Sequence, residues 1–130
     1  MRLLTLALIG LIAALHLYIA YFEMFAWETR GPAVFPDFPK ALFADTVVLA
    51  ANQGLYNGFL AVGLIWSLFI ADRPWQNRVV TCFLVFVLVA GLYGAATASV
   101  RILFVQAGPA LLTLILLYLS KNKADRQTAA

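Results

Sequence analysis

The chain has 130 residues and a net charge of +3; 64% of its residues are hydrophobic, 12% are charged, and its mean hydropathy is +0.91. Soluble domains are about 25% charged and roughly half apolar, so this composition excludes a water-soluble enzyme, a disordered tail and a secreted disulfide scaffold. One cysteine, Cys82, is too few for an intrachain disulfide or a cysteine metal cluster. Nine basic residues in so apolar a chain do not form the patch that nucleic acid requires. We therefore expect a lipid bilayer, and no nucleic acid, as the partner.

Charged residues divide the chain into four uncharged runs, which cover residues 3–22, 46–71, 79–100 and 102–120. Each run is close to or above the about 20 residues with which a helix crosses roughly 30 Å of hydrocarbon. A backbone in lipid must satisfy its own hydrogen bonds. We therefore predict an all-α fold, a four-transmembrane-helix bundle that forms one domain over residues 1–120, with helices over about 3–25, 46–71, 78–98 and 102–120.

The segments outside these runs differ in composition. A cleaved signal peptide is an alternative for the first run, but its length and the polar residues at its outer end favour a retained span. Residues 28–45 contain three prolines and three phenylalanines, which predicts no long helix there and either an interfacial linker or a lid over a site. Residues 72–78 predict a short turn around Pro74 and Trp75, and residues 121–130 a polar cytoplasmic tail.

Lysine and arginine predict the orientation of the spans. With four spans, both termini and the second loop lie on one side. That side carries six basic residues: Arg2, Arg73, Arg78, Lys121, Lys123 and Arg126. The other side carries three: Arg30, Lys40 and Arg101. Since positive charge stays inside, we expect both termini to be cytoplasmic.

Polar side chains of all four predicted spans fall at one depth, in the outer halves of the helices. The candidate site residues are His16, Glu23, Trp27, Asn52, Gln53, Tyr56, Asn57, Tyr93, Arg101 and Gln106. Because ionisable and amide groups are costly in hydrocarbon, we expect them to face the interior of the bundle. Together they predict a polar pocket in the outer leaflet.

The chemistry of these groups suggests roles in that pocket. Glu23 is the candidate catalytic acid or base, and His16, on the same predicted helix face, is its partner. Amides suit a substrate oxygen, aromatic rings suit the pocket wall, and Arg101 suits either Glu23 or an anionic headgroup. Each has a structural alternative: an interfacial charge for Glu23, interhelical hydrogen bonds for His16 and the amides, and snorkelling for Arg101. Too few ligands lie at this depth for a metal, and we predict no cofactor.

Small residues and a proline predict how the helices pack. Gly54 and Gly58 form a GxxxG step, which lets two helix backbones approach closely. Gly108 and Pro109 are expected to disturb the first turns of the fourth helix, because proline cannot donate a backbone hydrogen bond.

Three stretches carry a family resemblance: HLYIAYFEMFAW from His16, AANQGLYNGFLAVGLIW from Ala50 and ILFVQAGPALL from Ile102. In this order, and in a chain of this size, they resemble the small bacterial membrane proteins of domain of unknown function (DUF) 1304. The resemblance covers essentially the whole chain and implies four membrane helices, a bacterial inner membrane and no stated activity. Its motif positions are His16, Glu23, Trp27, Asn52, Gln53, Gly54, Tyr56, Asn57, Gln106 and Pro109.

Three functions fit this pattern. The first is acid/base conversion of a lipophilic small molecule, of the isomerase or cyclase kind, inside the membrane. The second is a small proton-coupled carrier or a subunit of one, although transporters usually place the key site near the midplane. The third is a non-catalytic accessory that binds a lipid or a partner protein. A homo-oligomer is compatible with all three.

Overall fold

The chain is helical throughout most of its length. The computed structural model describes the backbone of residues 2–128 and the side chains of residues 2–120. The helices are α1 (Arg2–Phe25), α2 (Trp27–Val34), α3 (Leu42–Asp45), α4 (Val47–Leu68), α5 (Arg73–Thr97), a π-helical segment (Leu103–Ala107) and α6 (Gly108–Thr128). No strand occurs over this part of the chain, and the all-α prediction is confirmed.

Four helical stretches are long and apolar enough to cross a membrane: Arg2–Phe25, Val47–Leu68, Arg73–Thr97 and Leu103–Ser120. They correspond one to one with the four predicted spans. Exposed leucine, valine and phenylalanine side chains are numerous along them, as expected where the surrounding medium is lipid and not water.

The turn predicted at residues 72–78 is wrong, because α5 already begins at Arg73. Asp72 caps that helix: its side chain accepts a hydrogen bond from the Trp75 backbone N–H at 2.7 Å. An aspartate cap followed by proline in the first turn is a strong helix start. Because α4 ends at Leu68, the connection is residues 69–72.

The proline-containing first loop has no long helix, as predicted. It contains the two short helices α2 and α3, and α2 follows α1 after a break at Ala26. Pro32 lies inside α2 without ending it, since the Phe35 N–H still donates to the Gly31 carbonyl. The helix ends at Val34 because Phe35 precedes Pro36, and the residue before a proline is disfavoured in helical conformation.

The fourth span begins with a wider helical turn. In the π-helical segment the Gly108 N–H donates to the Leu103 carbonyl five residues earlier. Pro109 cannot donate to the carbonyl four residues before it, so the expected disturbance at Gly108 and Pro109 takes the form of a π turn. The α6 backbone then continues to Thr128, beyond the predicted end at residue 120. Side chains of the predicted polar tail, and all of residues 129–130, lie outside the described part.

The chain divides into two packing units. One contains residues 2–12 and 63–128, and we call it the α5–α6 unit; the other is residues 13–62, the 13–62 unit. In the α5–α6 unit a Cβ on Gly91 would lie 2.9 Å from the Ala107 backbone nitrogen, so α5 and the π-helical segment are in backbone contact. The buried aliphatic side chains there include Leu64, Leu84 and Val87.

Candidate functional site

The site in the 13–62 unit begins with a close approach of two helices. A Cβ on Gly54 of α4 would lie 2.7 Å from the Met24 Cγ atom of α1, and 3.0 Å from both the Ala20 carbonyl oxygen and the Glu23 Cβ atom. A Cβ on Gly58, one turn further, would lie an ordinary 3.9 Å from the Ala20 Cβ atom. Gly54 is therefore in closer contact with α1 than Gly58 is, as a GxxxG step allows.

This contact brings Glu23 and Asn57 together. The Asn57 side-chain amide (Nδ2) donates to Glu23 Oε2 at 2.8 Å and also to the Gln53 backbone carbonyl at 3.3 Å. Asn57 is only 9% exposed, and Glu23 is partly buried. Both amide protons of Asn57 are thus engaged, which fixes the amide and directs it at the carboxyl group.

The pair has an asymmetric hydrogen-bonding capacity. A carboxylate has two oxygens with about four lone-pair sites, and the Asn57 bond engages Oε2 of Glu23. Oε1 is thereby the oxygen on which Glu23 can carry a proton without losing the bond to Asn57. A carboxyl group held in this way can act as a general acid or base if a substrate reaches it.

His16 lies on α1, closer to the N-terminus than Glu23, and its side chain is completely buried, with 0% exposure. It precedes Glu23 by seven residues, which is about 10.5 Å along a helix at 1.5 Å per residue. That separation is too long for a direct hydrogen bond between the two side chains. The predicted partnership of His16 with Glu23 would therefore need an intervening group.

Trp27 belongs to an aromatic cluster at the end of α1, not to the carboxyl–amide pair. Its ring centroid lies 5.1 to 6.3 Å from the rings of Phe22, Phe35, Phe38 and Phe43. The Trp27 Nε1–H donates to the Thr46 hydroxyl at 3.0 Å. The phenylalanine rings and the hydrogen bond to Thr46 therefore hold the Trp27 indole in one orientation.

A small open pocket of about 110 Å³ lies beside this cluster. Its walls are formed by the α1–α2 junction and the start of α4: Met24, Phe25, Ala26, Trp27, Glu28, Thr29 and Val47. Pockets for drug-sized ligands are typically about 300–1,000 Å³, so this space accommodates a small group and not a whole lipid.

The other predicted binding residues of α4 point outward. Asn52 and Gln53 are exposed, and Tyr56 is 54% exposed with its ring against Phe59 at 6.1 Å. Five residues along a helix correspond to a rotation of about 140°, which separates the direction of Asn52 from that of Asn57. Their role as pocket residues stays a prediction.

Three predicted residues belong to the α5–α6 unit. Gln106 lies in the π-helical segment, and its side-chain amide donates to the Val87 backbone carbonyl of α5 at 3.1 Å. Tyr93 is 72% exposed, and Arg101 is exposed between α5 and the π-helical segment. Gln106 therefore contributes to helix packing within its unit. The polar pocket to which all four spans contribute stays a prediction.

Sequence reasoning missed two residues that organise the aromatic cluster. Thr46 accepts from Trp27 and itself donates to the Leu42 carbonyl; its position immediately before an apolar run was the available signal. Gly31 is buried against the Phe43 ring, where a Cβ would overlap the ring atoms. Within the described residues, no group of three or more histidine, cysteine, aspartate or glutamate side chains is arranged to hold a metal ion.

Fold and site together define an all-α protein of the membrane type, with a carboxyl–amide pair joining two of its apolar helices. A model of the family described as "Protein of unknown function (DUF1304)" matches residues 10–118. An uncharacterized protein of Lactococcus lactis subsp. lactis (strain IL1403), YpaA, is 35% identical over 117 residues, which are 88% of this chain and 97% of that protein. No solved structure matches. The chain belongs to the DUF1304 family, and the resemblance drawn from its three motifs is confirmed.

Proposed function

We propose that this protein carries out acid/base chemistry on a lipophilic small molecule within the membrane, with Glu23 as the group that gives or takes the proton. The observation that carries the proposal is the 2.8 Å bond between the Asn57 amide and Glu23 Oε2. It holds a carboxyl group in one orientation at a partly buried position on an apolar helix. Asn57 is the positioning residue, because its second amide proton is held by the Gln53 carbonyl.

The reaction class is proton transfer of the isomerase or cyclase kind. Glu23 takes a proton from one carbon of the substrate and returns a proton to another, so electrons balance without a cofactor. Ionisable groups inside membrane helices are rare and usually functional, which supports assigning chemistry to this carboxyl. The remaining predicted residues, among them His16 and Trp27, are proposed to shape the space that the substrate occupies.

The same pair also supports a second candidate, a proton-coupled carrier. Glu23 lies on α1 and its partner Asn57 on α4, so a change of protonation at the carboxyl acts on the contact between two spans. A carboxyl that links its charge state to helix packing is what proton coupling requires.

We further propose the orientation that the basic residues indicate, with both termini on the cytoplasmic face of a bacterial inner membrane. Arg73 and Arg78 support it, since both lie in the first turns of α5 beside the short connection at residues 69–72. Reporter fusions at Arg78 and Lys40 should report opposite sides of the membrane.

An isotope experiment tests the chemistry without knowledge of the substrate. Isolated membranes containing the protein, the Glu23→Gln variant or the Asp37→Asn variant are incubated in D2O, and their lipid extracts are compared by mass spectrometry. Proton transfer at carbon through an exchangeable carboxyl incorporates deuterium into a lipophilic product. We expect this label with the unmodified protein and with Asp37→Asn, in which an exposed carboxyl outside the pocket is removed, but not with Glu23→Gln.

Two outcomes would refute the enzyme proposal. If all three membranes give the same labelling while the variant proteins remain folded, Glu23 does no chemistry at carbon. If instead proton uptake into sealed vesicles depends on Glu23 and no product is labelled, the carrier is the correct function.

A further inference from the structure

The face of α4 directed away from α1 combines an apolar surface with exposed amides. Val48, Leu49 and Phe59 are 79%, 70% and 55% exposed, and Asn52 lies among them, also exposed. In a helix of 100° per residue, positions 48, 52 and 59 fall within about 40° of one another. We define the outer α4 face as Val48, Leu49, Asn52, Tyr56 and Phe59.

The depth of Asn52 makes this face unfavourable in contact with lipid. Helix α4 has 22 residues, so it is about 33 Å long and little longer than the roughly 30 Å of hydrocarbon it would cross. Asn52 lies five residues from the start of the helix, so in a hydrocarbon layer centred on α4 it would lie about 6 Å below the surface of that layer. An amide there is costly unless both its N–H and its carbonyl are hydrogen-bonded.

We propose that the outer α4 face binds a second copy of this chain, with Asn52 of each copy hydrogen-bonded to Asn52 of the other across a two-fold axis along the membrane normal. A primary amide is self-complementary, because it has both donors and acceptors. A two-fold interface places the same residue of both copies at the same depth. Acyl chains satisfy neither group, and the ester oxygens of phospholipids only accept.

Contacts inside the 13–62 unit exclude the usual alternative for helix pairing. The GxxxG step would ordinarily be the first candidate for a dimer interface. Here Gly54 is in close contact with Ala20, Glu23 and Met24 of α1 of the same chain. The small-residue face is therefore occupied within the chain, whereas the amide-containing face is exposed. This inference does not depend on the proposed chemistry of Glu23.

Self-association of the full chain in lipid tests the proposal. Fluorescence energy transfer between donor- and acceptor-labelled copies in phosphatidylcholine vesicles, over a range of protein-to-lipid ratios, gives the dissociation constant. We expect Asn52→Leu to weaken association about tenfold, which corresponds to about 1.4 kcal/mol of lost interhelical hydrogen bonding. Asn52→Gln should retain most of it, and Gly58→Ala should leave it unchanged.

Cysteine cross-linking provides a second measurement that does not depend on removal of the amide. In a Cys82→Ala background, Asn52→Cys should form a disulfide between two copies on oxidation. Leu17→Cys, at an exposed position of α1, is the matched control and should form much less. The proposal is overturned if the unmodified chain is monomeric at every protein-to-lipid ratio, or if Asn52→Leu associates as tightly as the unmodified chain. It is also overturned if Asn52→Cys and Leu17→Cys cross-link to the same extent.

Discussion

Substitution of Gly54 by alanine isolates the helix contact on which the candidate site depends. The added Cβ would lie 2.7 Å from the Met24 Cγ atom and 3.0 Å from both the Ala20 carbonyl oxygen and the Glu23 Cβ atom. Met24 has a flexible side chain and can move, but the carbonyl oxygen and the Cβ atom move only with the α1 backbone. We therefore expect α1 and α4 to separate slightly at this point.

The matched control is Gly58→Ala, where the added Cβ would meet the Ala20 Cβ atom at 3.9 Å. Both substitutions remove a glycine from the same helix, so the gain in helix propensity, about 1 kcal/mol in water, is common to both. The difference between the two variants isolates the clash. Overpacking costs about 1–3 kcal/mol, and the flexible Met24 side chain places the expected difference near the lower end, at about 1–2 kcal/mol.

Reversible unfolding of the purified protein in mixed micelles measures this difference directly. Gly54→Ala should lower the free energy of unfolding relative to Gly58→Ala by that amount. A difference below about 0.5 kcal/mol, within the usual range for substitutions without packing consequences, would show that the helices are not in close contact at Gly54.

Three further contacts are tested by the same unfolding assay. Gly91→Ala should destabilise the protein by about 1–3 kcal/mol relative to Gly10→Ala, because the new Cβ at position 91 would meet the backbone of the facing π-helical segment at 2.9 Å. Gly10→Ala has nothing within 4 Å and shares the gain in helix propensity, so equal effects would contradict the close packing. Trp27→Phe and Thr46→Val should each cost about 0.5–1.5 kcal/mol, and the double variant should cost less than the sum if the two side chains share one hydrogen bond. Asp72→Ala should cost about 1 kcal/mol through loss of the helix cap, and an unchanged stability would contradict a start of α5 at Arg73.

The four membrane-spanning helices can be predicted from the sequence, because a long run of residues without charge is enough to identify each of them. Residues 46–71 predict α4 to within three residues at its C-terminal end, since the free energy of moving a side chain into lipid dominates over local preference. The predicted start of α5 at about residue 78 is too late, because the prediction ends a span at charged residues. Asp72 and Pro74 are instead a helix cap and a first-turn proline, and a helix can extend beyond the hydrocarbon.

The carboxyl–amide pair was only partly predictable. Both Glu23 and Asn57 were candidates from their cost in hydrocarbon, but which amide meets the carboxyl depends on how α1 and α4 pack. That is decided by Gly54, whose close contact turns Asn57 toward Glu23 and leaves Asn52 and Tyr56 on the outer α4 face. Helix periodicity separates Asn52 from Asn57 by about 140° but does not predict which of the two faces α1.

Infrared spectroscopy of the Glu23 carboxyl group tests the central claim most directly. The chain has only two glutamates, Glu23 and Glu28, so carboxyl-labelled glutamate in a Glu28→Gln background gives a carbonyl signal from Glu23 alone. Loss of the hydrogen bond to Oε2 should shift that band in the Asn57→Leu variant, whereas Asn52→Leu, on the opposite side of the same helix, should leave it unchanged. An identical band in all three proteins would contradict the carboxyl–amide pair and, with it, the proposed role of Glu23.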